Sequence, residues 1–242
     1  MIEILRKEIN TFLDSLIAYI IIAVFLTGIG LLMWIFPETS VLEFGFADMG
    51  TLFSLGPYVF MFLIPAITMR MFAEERKAGT MELLLTRPVM DWEIIAGKYL
   101  AGFVLVVFSI LPTLLYYFTI YRLGNPVGNI DTAGTMGSYV GLILLGAVFT
   151  AIGIFASSFT ENQVIAFIVA AFLCFLGYSG FQSIAAMPIL GKWSAGIEQM
   201  GILYHYNAMS RGLIDFRNVV YFFSVIGMML LFTNFLMGSR KW

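Results

Sequence analysis

Long runs of apolar residues alternate with short polar segments along most of this chain. A helix needs about 20 largely apolar residues to cross the hydrocarbon core of a bilayer. Six runs are long enough, and they cover Leu16–Phe36, Leu52–Phe72, Tyr99–Tyr121, Tyr139–Phe159, Val164–Met187 and Val219–Met237. Backbone groups in lipid must be hydrogen-bonded within their own segment, so runs of this length predict helices. The pattern therefore predicts an all-α, polytopic membrane protein with six transmembrane helices, forming one transmembrane domain over residues 1–242.

Apolar positions also recur at helical spacing in the first 14 residues, where polar and charged residues take the other side. We expect an amphipathic helix that lies in the membrane interface before the first span. A plain polar turn leading into that span is the alternative. The first apolar run is longer than the core of a signal peptide and has no convincing small-residue cleavage site after it, which favours a retained span.

Several residues predict departures from straight helices. Pro57, Pro65 and Pro112 fall inside spans and should kink them. Glycine, serine and glutamine between residues 177 and 182 weaken the far end of the fifth span, where we expect a break or tilt. Residues 188–218 are too polar to span and too apolar for a free loop, so we expect short outer-face helices before the sixth span.

Small residues recur at helical spacing in the fourth span, which also contains a GxxxG pair at Gly137 and Gly141. Such residues let helix backbones approach closely. Packing within the chain is the favoured interpretation, and a face for a second copy is the alternative.

Composition narrows the function classes. The chain is 60% hydrophobic and 12% charged, whereas soluble domains average roughly 25% charged. The single Cys174 and single His205 exclude an intrachain disulfide and a multi-histidine metal site. The six runs carry no ionisable residue near their middles, although ion-coupled transporters depend on such residues. This argues against a secondary transporter and indicates that energy comes from a partner protein.

Basic residues predict the orientation of the chain. With the N-terminus in the cytoplasm, nine of the 13 Lys and Arg residues lie on the inner side, and the first outer loop carries acids and no base. The preference of basic residues for the cytoplasmic side therefore places both termini in the cytoplasm. It also places the long polar segment between the second and third spans there.

The polar segment Ala73–Gly97 has more features than a loop needs if it only connects two spans. It opens with four charged residues, 74–77, continues with a Gly-Thr step and a leucine block, and reaches Asp91, which we expect to cap a second short helix. We predict that it is a docking element for a soluble protein. A simple topological anchor is the alternative, but an anchor needs only the basic residues.

Motifs for chemistry within the chain are absent from the sequence. It contains no GxxxxGK[ST] phosphate-binding loop, no GxSxG and no HExxH. His205, between two tyrosines, fits a hydrogen-bonding residue at the interface better than a catalytic base, because no partner set surrounds it. We therefore expect the chain not to be an enzyme and any ATP hydrolysis to be carried out by a partner.

The stretch MFAEERKAGTMELLLTRP, Met71–Pro88, resembles the cytoplasmic loop of type 2 ABC-exporter permeases (the ABC-2 family), as do Asp91–Ile95 and Gly97–Leu100. The resemblance extends over the whole chain: an interfacial helix, six spans, and an aromatic-rich segment before the last span. Within the family, Leu42–Asp48 and Phe62–Arg70 are similar to the gliding-motility-associated permeases.

This resemblance implies a cytoplasmic coupling helix near Glu74–Thr86, between the first two spans and the remaining four. Its charged residues would orient a separate ATPase, and its leucines would supply apolar contacts. The implied docking residues are Glu74, Glu75, Arg76, Lys77, Gly79, Thr80, Glu82, Leu83, Leu84, Leu85, Arg87 and Pro88.

The resemblance also implies partners and a location. The partners would be a dimer of ABC ATPase subunits, a second copy of this chain or a related permease, and an accessory gliding-type membrane protein. ATP and Mg would be used by the ATPase, while the chain itself would hold no cofactor and bind no nucleic acid. The location would be the bacterial inner membrane. A structural component that anchors a motility or envelope machine without moving a solute is the alternative function.

Overall fold

The computed structural model describes residues 1–43, 45–81, 90–210, 212 and 215–238, and regular structure in these residues is entirely helical. In chain order the α-helices are α1 (Ile2–Leu13), α2 (Leu16–Trp34), α3 (Gly50–Thr68), α4 (Arg70–Lys77), α5 (Asp91–Ile110), α6 (Leu114–Leu123), α7 (Thr132–Phe159), α8 (Gln163–Phe175), α9 (Phe181–Ala185), α10 (Ser194–Gln199), α11 (Ile202–Met209) and α12 (Phe216–Gly238). A 3₁₀ turn at Leu111–Thr113, a π-helical turn at Leu176–Gly180 and a 3₁₀ stretch at Pro188–Trp193 complete the set.

Five helical stretches are long and apolar enough to cross a membrane: Gly50–Lys77, Asp91–Leu123, Thr132–Phe159, Gln163–Ala185 and Phe216–Gly238. A sixth arises if α1 and α2, which are bent by 70° relative to each other, are taken together. The structure thus confirms an all-α, polytopic membrane protein with five to six candidate spans.

Helix α7 forms the centre of the bundle. It contacts α3, α4, α5, α8, α11 and α12, and 78% of its most apolar window is buried, against 22% for the α8 span and 17% for α12. Its glycines explain this position. A Cβ on Gly146 would lie 2.8 Å from Val106 of α5, and one on Gly137 would lie 2.8 Å from the carbonyl of Met209 in α11. The predicted packing of small residues within the chain is therefore confirmed.

The bundle has two chemically different ends. The "α1 end" comprises α1, α4 and the first turns of α5, and the "α11 end" comprises α10, α11 and the first turns of α3 and α7. At the α11 end, Tyr206 is buried and its hydroxyl donates to the carbonyl of Phe53, 2.7 Å away. This bond fixes α11 on the start of α3. The short helices predicted before the last span are present at this end.

Two of the predicted departures from straight helices are present. Pro112 lies in the 3₁₀ turn between α5 and α6, and the glycine-containing end of the fifth span adopts the π-helical turn. Helix α3 runs through Pro57 and Pro65 without interruption and ends at Thr68, and α4 follows after Met69.

One local prediction was wrong. Asp91 does not cap a short separate helix: it is the first residue of α5, which follows Met90 and continues to Ile110. The helix continues through Gly97 because that glycine packs against α1, where an added Cβ would lie 3.1 Å from Ile4. Burial against α1 thus extends the third span toward the N-terminal side.

Candidate functional site at the α1 end

A serine from the central helix marks the junction of α3 and α4. The hydroxyl oxygen of Ser157 accepts from the backbone N–H groups of Phe72 and Ala73, 2.9 and 3.1 Å away, and the hydroxyl donates to the carbonyl of Met69 at 2.9 Å. A side chain inserted into the helical hydrogen-bond ladder is a recognised cause of kinks. Helix α4 is therefore joined to α3 through a break that is held by α7.

Lys98 of α5 is the most buried charged side chain among the described residues, with a side-chain exposure of 1%. Its Nζ lies 2.7 Å from Oε1 of Glu8, 2.9 Å from Oε2 of Glu75 and 2.6 Å from the carbonyl oxygen of Met71. A lysine ammonium has three N–H donors and no acceptor. Two of these oxygens, those of Glu8 and Met71, accept hydrogen bonds from the ammonium, and the Glu75 carboxylate adds an ion pair, so the buried charge is both neutralised and hydrogen-bonded.

Lys7 extends the cluster to the surface. Its Nζ lies 2.7 Å from Oε1 of Glu75 and 3.7 Å from Oε1 of Glu8. Burial lowers the pKa of Lys7, but the hydrogen bonds and charges of Glu75 and Glu8 outweigh burial and leave the pKa raised. Two lysines and two glutamates thus form a balanced "ion cluster" (Lys7, Glu8, Glu75, Lys98) that joins α1, α4 and α5.

The predicted docking residues fall into three groups. Glu75 lies in the ion cluster, and Arg76 is half-buried. Glu74, Lys77, Gly79 and Thr80 are exposed around the end of α4. The remaining predicted docking residues lie outside the described part of the chain; they are Glu82, Leu83, Leu84, Leu85, Arg87 and Pro88.

The Gly-Thr step ends α4. Gly79 has φ = 67°, a left-handed conformation that glycine adopts without strain at a helix C-terminus. The N–H of Gly79 donates to the carbonyl of Arg76 at 3.0 Å, and the hydroxyl of Thr80 donates to the carbonyl of Glu75 at 3.2 Å. The step therefore caps the arm formed by α4 and turns the chain away from it.

A cleft of about 240 Å³ separates α1 from α4, lined by Lys7, Glu8, Thr11, Phe12, Ile67, Arg70, Met71, Glu74, Glu75, Ala78 and Thr80. Lysine, arginine and glutamate all line it, so neither sign of charge dominates. Across this cleft, α1 contacts α4 through the ion cluster and through Arg70, whose guanidinium carbon lies 5.0 Å from the centroid of the Phe12 ring.

The single histidine lies at the opposite end of the bundle. Nδ1 of His205 is 2.8 Å from the amide oxygen of Asn218, Nε2 donates to the carbonyl of Gln199 at 2.9 Å, and the ring stacks on Tyr221. Both ring nitrogens are engaged within the chain, which agrees with the predicted hydrogen-bonding role. Within the described ranges, no three His, Cys, Asp or Glu residues converge as a metal site.

Sequence reasoning missed Glu8, Lys98 and Ser157, yet two of them carry a signal. Glu8 follows Ile4 and precedes Phe12 at four-residue spacing, so it lies on the apolar face of α1. Lys98 shares a face of α5 with Ile94 and Leu105, both buried. A charge on an apolar face needs an internal partner, because an unpaired buried charge is strongly unfavourable. Ser157 carries no comparable signal.

Comparison with known proteins identifies the family. Residues 2–233 match the model of a family described as "ABC-2 family transporter protein". No curated protein matches the chain. The family model covers nearly the whole chain, including α1, the ion cluster and the α11 end. An ABC-2 permease is the membrane component of an ABC transporter and works with an ABC ATPase. The chain therefore belongs to the ABC-2 family of transporters, as a multi-pass membrane permease that is not itself the ATPase.

Proposed function

We propose that this permease docks its ATPase through the exposed end of α4 and the segment that follows it, residues 74–88, and exports a substrate across the bacterial inner membrane. The family match over residues 2–233 carries the proposal. The exposed charges of Glu74 and Lys77 support it, because charges at the rim of an interface supply orientation and specificity.

The distribution of basic residues supports a cytoplasmic α1 end. Arg6, Lys7, Arg70, Arg76, Lys77 and Lys98 lie there, whereas Arg122, Lys192 and Arg217 are the basic residues described at the α11 end. Basic residues concentrate on the cytoplasmic side of membrane proteins. On this proposal both termini lie in the cytoplasm and the docking segment faces the ATPase.

The complete transporter would contain two ATPase subunits, which bind ATP and Mg, and two permease subunits. The second permease is a further copy of this chain or a related one. On the resemblance of Leu42–Asp48 and Phe62–Arg70 alone, we also propose a link to gliding motility, with an accessory membrane protein of that group. Deleting the gene in a gliding host should abolish spreading if this narrower proposal holds.

Docking is tested by reversing the exposed charges while keeping the ion cluster intact. The double variant E74K/K77E should lower the affinity of the purified permease for its ATPase by about tenfold and change its salt dependence. Glu75 is unsuitable for this purpose, because its loss would disturb α1 and α5 as well.

The control is the matched double reversal K192E/E198K, at exposed positions of the α11 end. It should leave ATPase binding unchanged. Equal affinity for E74K/K77E and the unaltered chain, measured by titration in lipid nanodiscs, would falsify docking at the end of α4.

A further inference from the structure

The ion cluster has a mechanical consequence that follows from which helices it joins. Helix α4 packs on α7 and α8, and α5 packs on α1 and α7. Lys98 extends from α5 to two oxygens of α4 and one of α1. Its ammonium group is therefore a point at which α1, α4 and α5 meet.

Helix α4 follows α3 through Met69, which keeps helical φ and ψ of −54° and −30°. The Ser157 hydroxyl from α7 accepts from the N–H groups of Phe72 and Ala73 in the first turn of α4, so this junction is bonded to α7. Thr68, just before the break, bonds its own preceding turn at the carbonyl of Ile64. A force applied beyond Lys77 would therefore act on α4 beyond the point, near Met69, at which Ser157 bonds the helix to α7.

Any such movement is transmitted to α5 by Lys98. Its ammonium donates to Glu8 and to the Met71 carbonyl and forms an ion pair with Glu75, and the group has almost no access to water that could replace them. Separating α4 from α5 would take the Glu75 carboxylate and the Met71 carbonyl away from a buried ammonium, and breaking a buried ion pair is strongly unfavourable. From Lys98, α5 continues through the 3₁₀ turn and α6 to Leu123 at the other end of the bundle.

We propose that Lys98 is the positioning residue that couples the docking arm α4 to α5 and α1, so that ATPase-driven movement of the arm carries the third span with it. This inference rests on the proposed docking function. Lys98 contacts neither the ATPase nor the substrate on this proposal, and acts through Glu75, Met71 and Glu8.

The test measures whether α4 and α5 move as one body in the assembled transporter. Spin labels are attached at Ala78, after α4, and Trp92, on α5, both of which are exposed. Cys174, the single cysteine, is replaced by alanine to give a clean background. Distance distributions are recorded by double electron–electron resonance in nanodiscs, with ATPase bound, with and without a non-hydrolysable ATP analogue.

The unaltered cluster should give one narrow distribution that the nucleotide does not change. The variant E8Q/K98M removes the buried cation and one of its carboxylates while leaving Glu75 paired with Lys7. It should retain ATPase binding and hydrolysis but show a nucleotide-dependent shift and broadening. The matched control K7M, which removes the exposed lysine of the same cluster, should behave like the unaltered protein.

Three results would overturn the proposal: a narrow distribution in E8Q/K98M under both conditions, a broadening that is identical with and without nucleotide, or a nucleotide-dependent distance in the unaltered protein. The second of these identifies a packing role only. K98M alone provides a second variant if the double variant does not assemble. Failure of the unaltered chain to bind any ABC ATPase is a different result, because it refutes the docking function and not the role of Lys98.

Discussion

At the residue scale, two buried polar side chains at the α1 end, Ser157 and Lys98, bond to helices other than their own. Ser157 and Lys98 are both fully buried, and each engages three backbone or side-chain partners. Buried polar groups without partners are costly, so these partners favour one arrangement of the surrounding elements. The α3–α4 junction and the ion cluster are thus the two polar supports of the α1 end.

Removing the Ser157 hydroxyl should destabilise the protein, because two buried N–H groups and a carbonyl would lose their partner. An unsatisfied buried donor costs about 1–3 kcal/mol, and for a chain of this size about 1 kcal/mol lowers the melting temperature by roughly 2–4 °C. We expect S157A to melt several degrees below the unaltered protein in a thermal-shift measurement.

The neighbouring residue supplies the control for that measurement. Ser158 is equally buried, but its hydroxyl bonds only the carbonyl of Phe155 in its own helix, at 2.7 Å. S158A should therefore change the melting temperature little. Equal shifts for S157A and S158A would show that the inter-helix bonds of Ser157 contribute no stability of their own.

At the scale of elements, the close approach of α7 to the end of α3 depends on one missing side chain. A Cβ added at Gly153 would overlap Thr68, lying 2.8 Å from its Cβ and closer still to its hydroxyl. Thr68 is itself buried and bonded to Ile64, so it cannot swing away freely. Helix α3 can reach the Ser157 junction because position 153 is glycine.

We expect G153A to destabilise the bundle by about 1–3 kcal/mol, which is the usual effect of overpacking. The matched variant G227A, in α12, should instead stabilise the bundle. No atom lies within 4 Å of a Cβ there, and alanine favours helix over glycine by about 0.8–1.0 kcal/mol. Melting temperatures of the two variants, measured in the same detergent, check both signs. A G153A protein as stable as the unaltered chain would contradict the assigned approach of α7 to α3.

Much of the helical architecture followed from the apolar runs, since the requirement for about 20 apolar residues is imposed by the bilayer. The helix ends did not. Helix α7 begins at Thr132, ahead of the predicted Tyr139, because Asp131 caps it by accepting from the N–H of Gly134. Helix α5 begins at Asp91, ahead of the predicted Tyr99, because its first turns pack on α1. A hydropathy pattern locates the part of a helix that contacts lipid. The first turns of α5 and α7 contact other parts of the protein, so the pattern does not include them.

The candidate site was predictable only in part for a similar reason. A helical face can be read from spacing, so Glu8 and Lys98 could each have been recognised as charges on apolar faces. Their pairing joins residues 8 and 98, and spacing alone does not reveal which buried charges meet. Glu75 is an example. The sequence predicts it as a docking residue, but in the structure its carboxylate pairs with Lys7 and Lys98.

At the scale of the whole molecule, the bundle leaves a broad apolar surface on α8 and α12. Large side chains exposed there include Ile168, Phe172, Phe223, Leu231 and Phe235. Apolar exposure of this extent is expected of helices in contact with lipid or another membrane subunit. Charge lies mainly beyond this belt, at the two ends of the bundle. The direction in which the ends face therefore decides whether an ATPase can reach α4.

Orientation can be measured with two matched asparagines, because Cys174 is the sole cysteine and is buried. Asn10 lies exposed on α1, and Asn129 lies exposed at the α11 end, between α6 and α7. In a C174A background, N129C should react with a membrane-impermeant maleimide in intact spheroplasts. N10C should react only after the membrane is opened, because the distribution of basic residues predicts that the α1 end lies in the cytoplasm.

Each variant serves as the control for the other, since both replace an exposed asparagine and differ only in the end of the bundle they report. The reverse pattern, with N10C labelled from outside, would place Glu74 and Lys77 away from the cytoplasm. An ATPase that uses cytoplasmic ATP could not then contact α4, and docking and arm coupling would fail together. If only N129C is labelled in intact spheroplasts, α4 faces the cytoplasm and an ATPase can reach it. The charge reversal at Glu74 and Lys77 then tests where the ATPase binds.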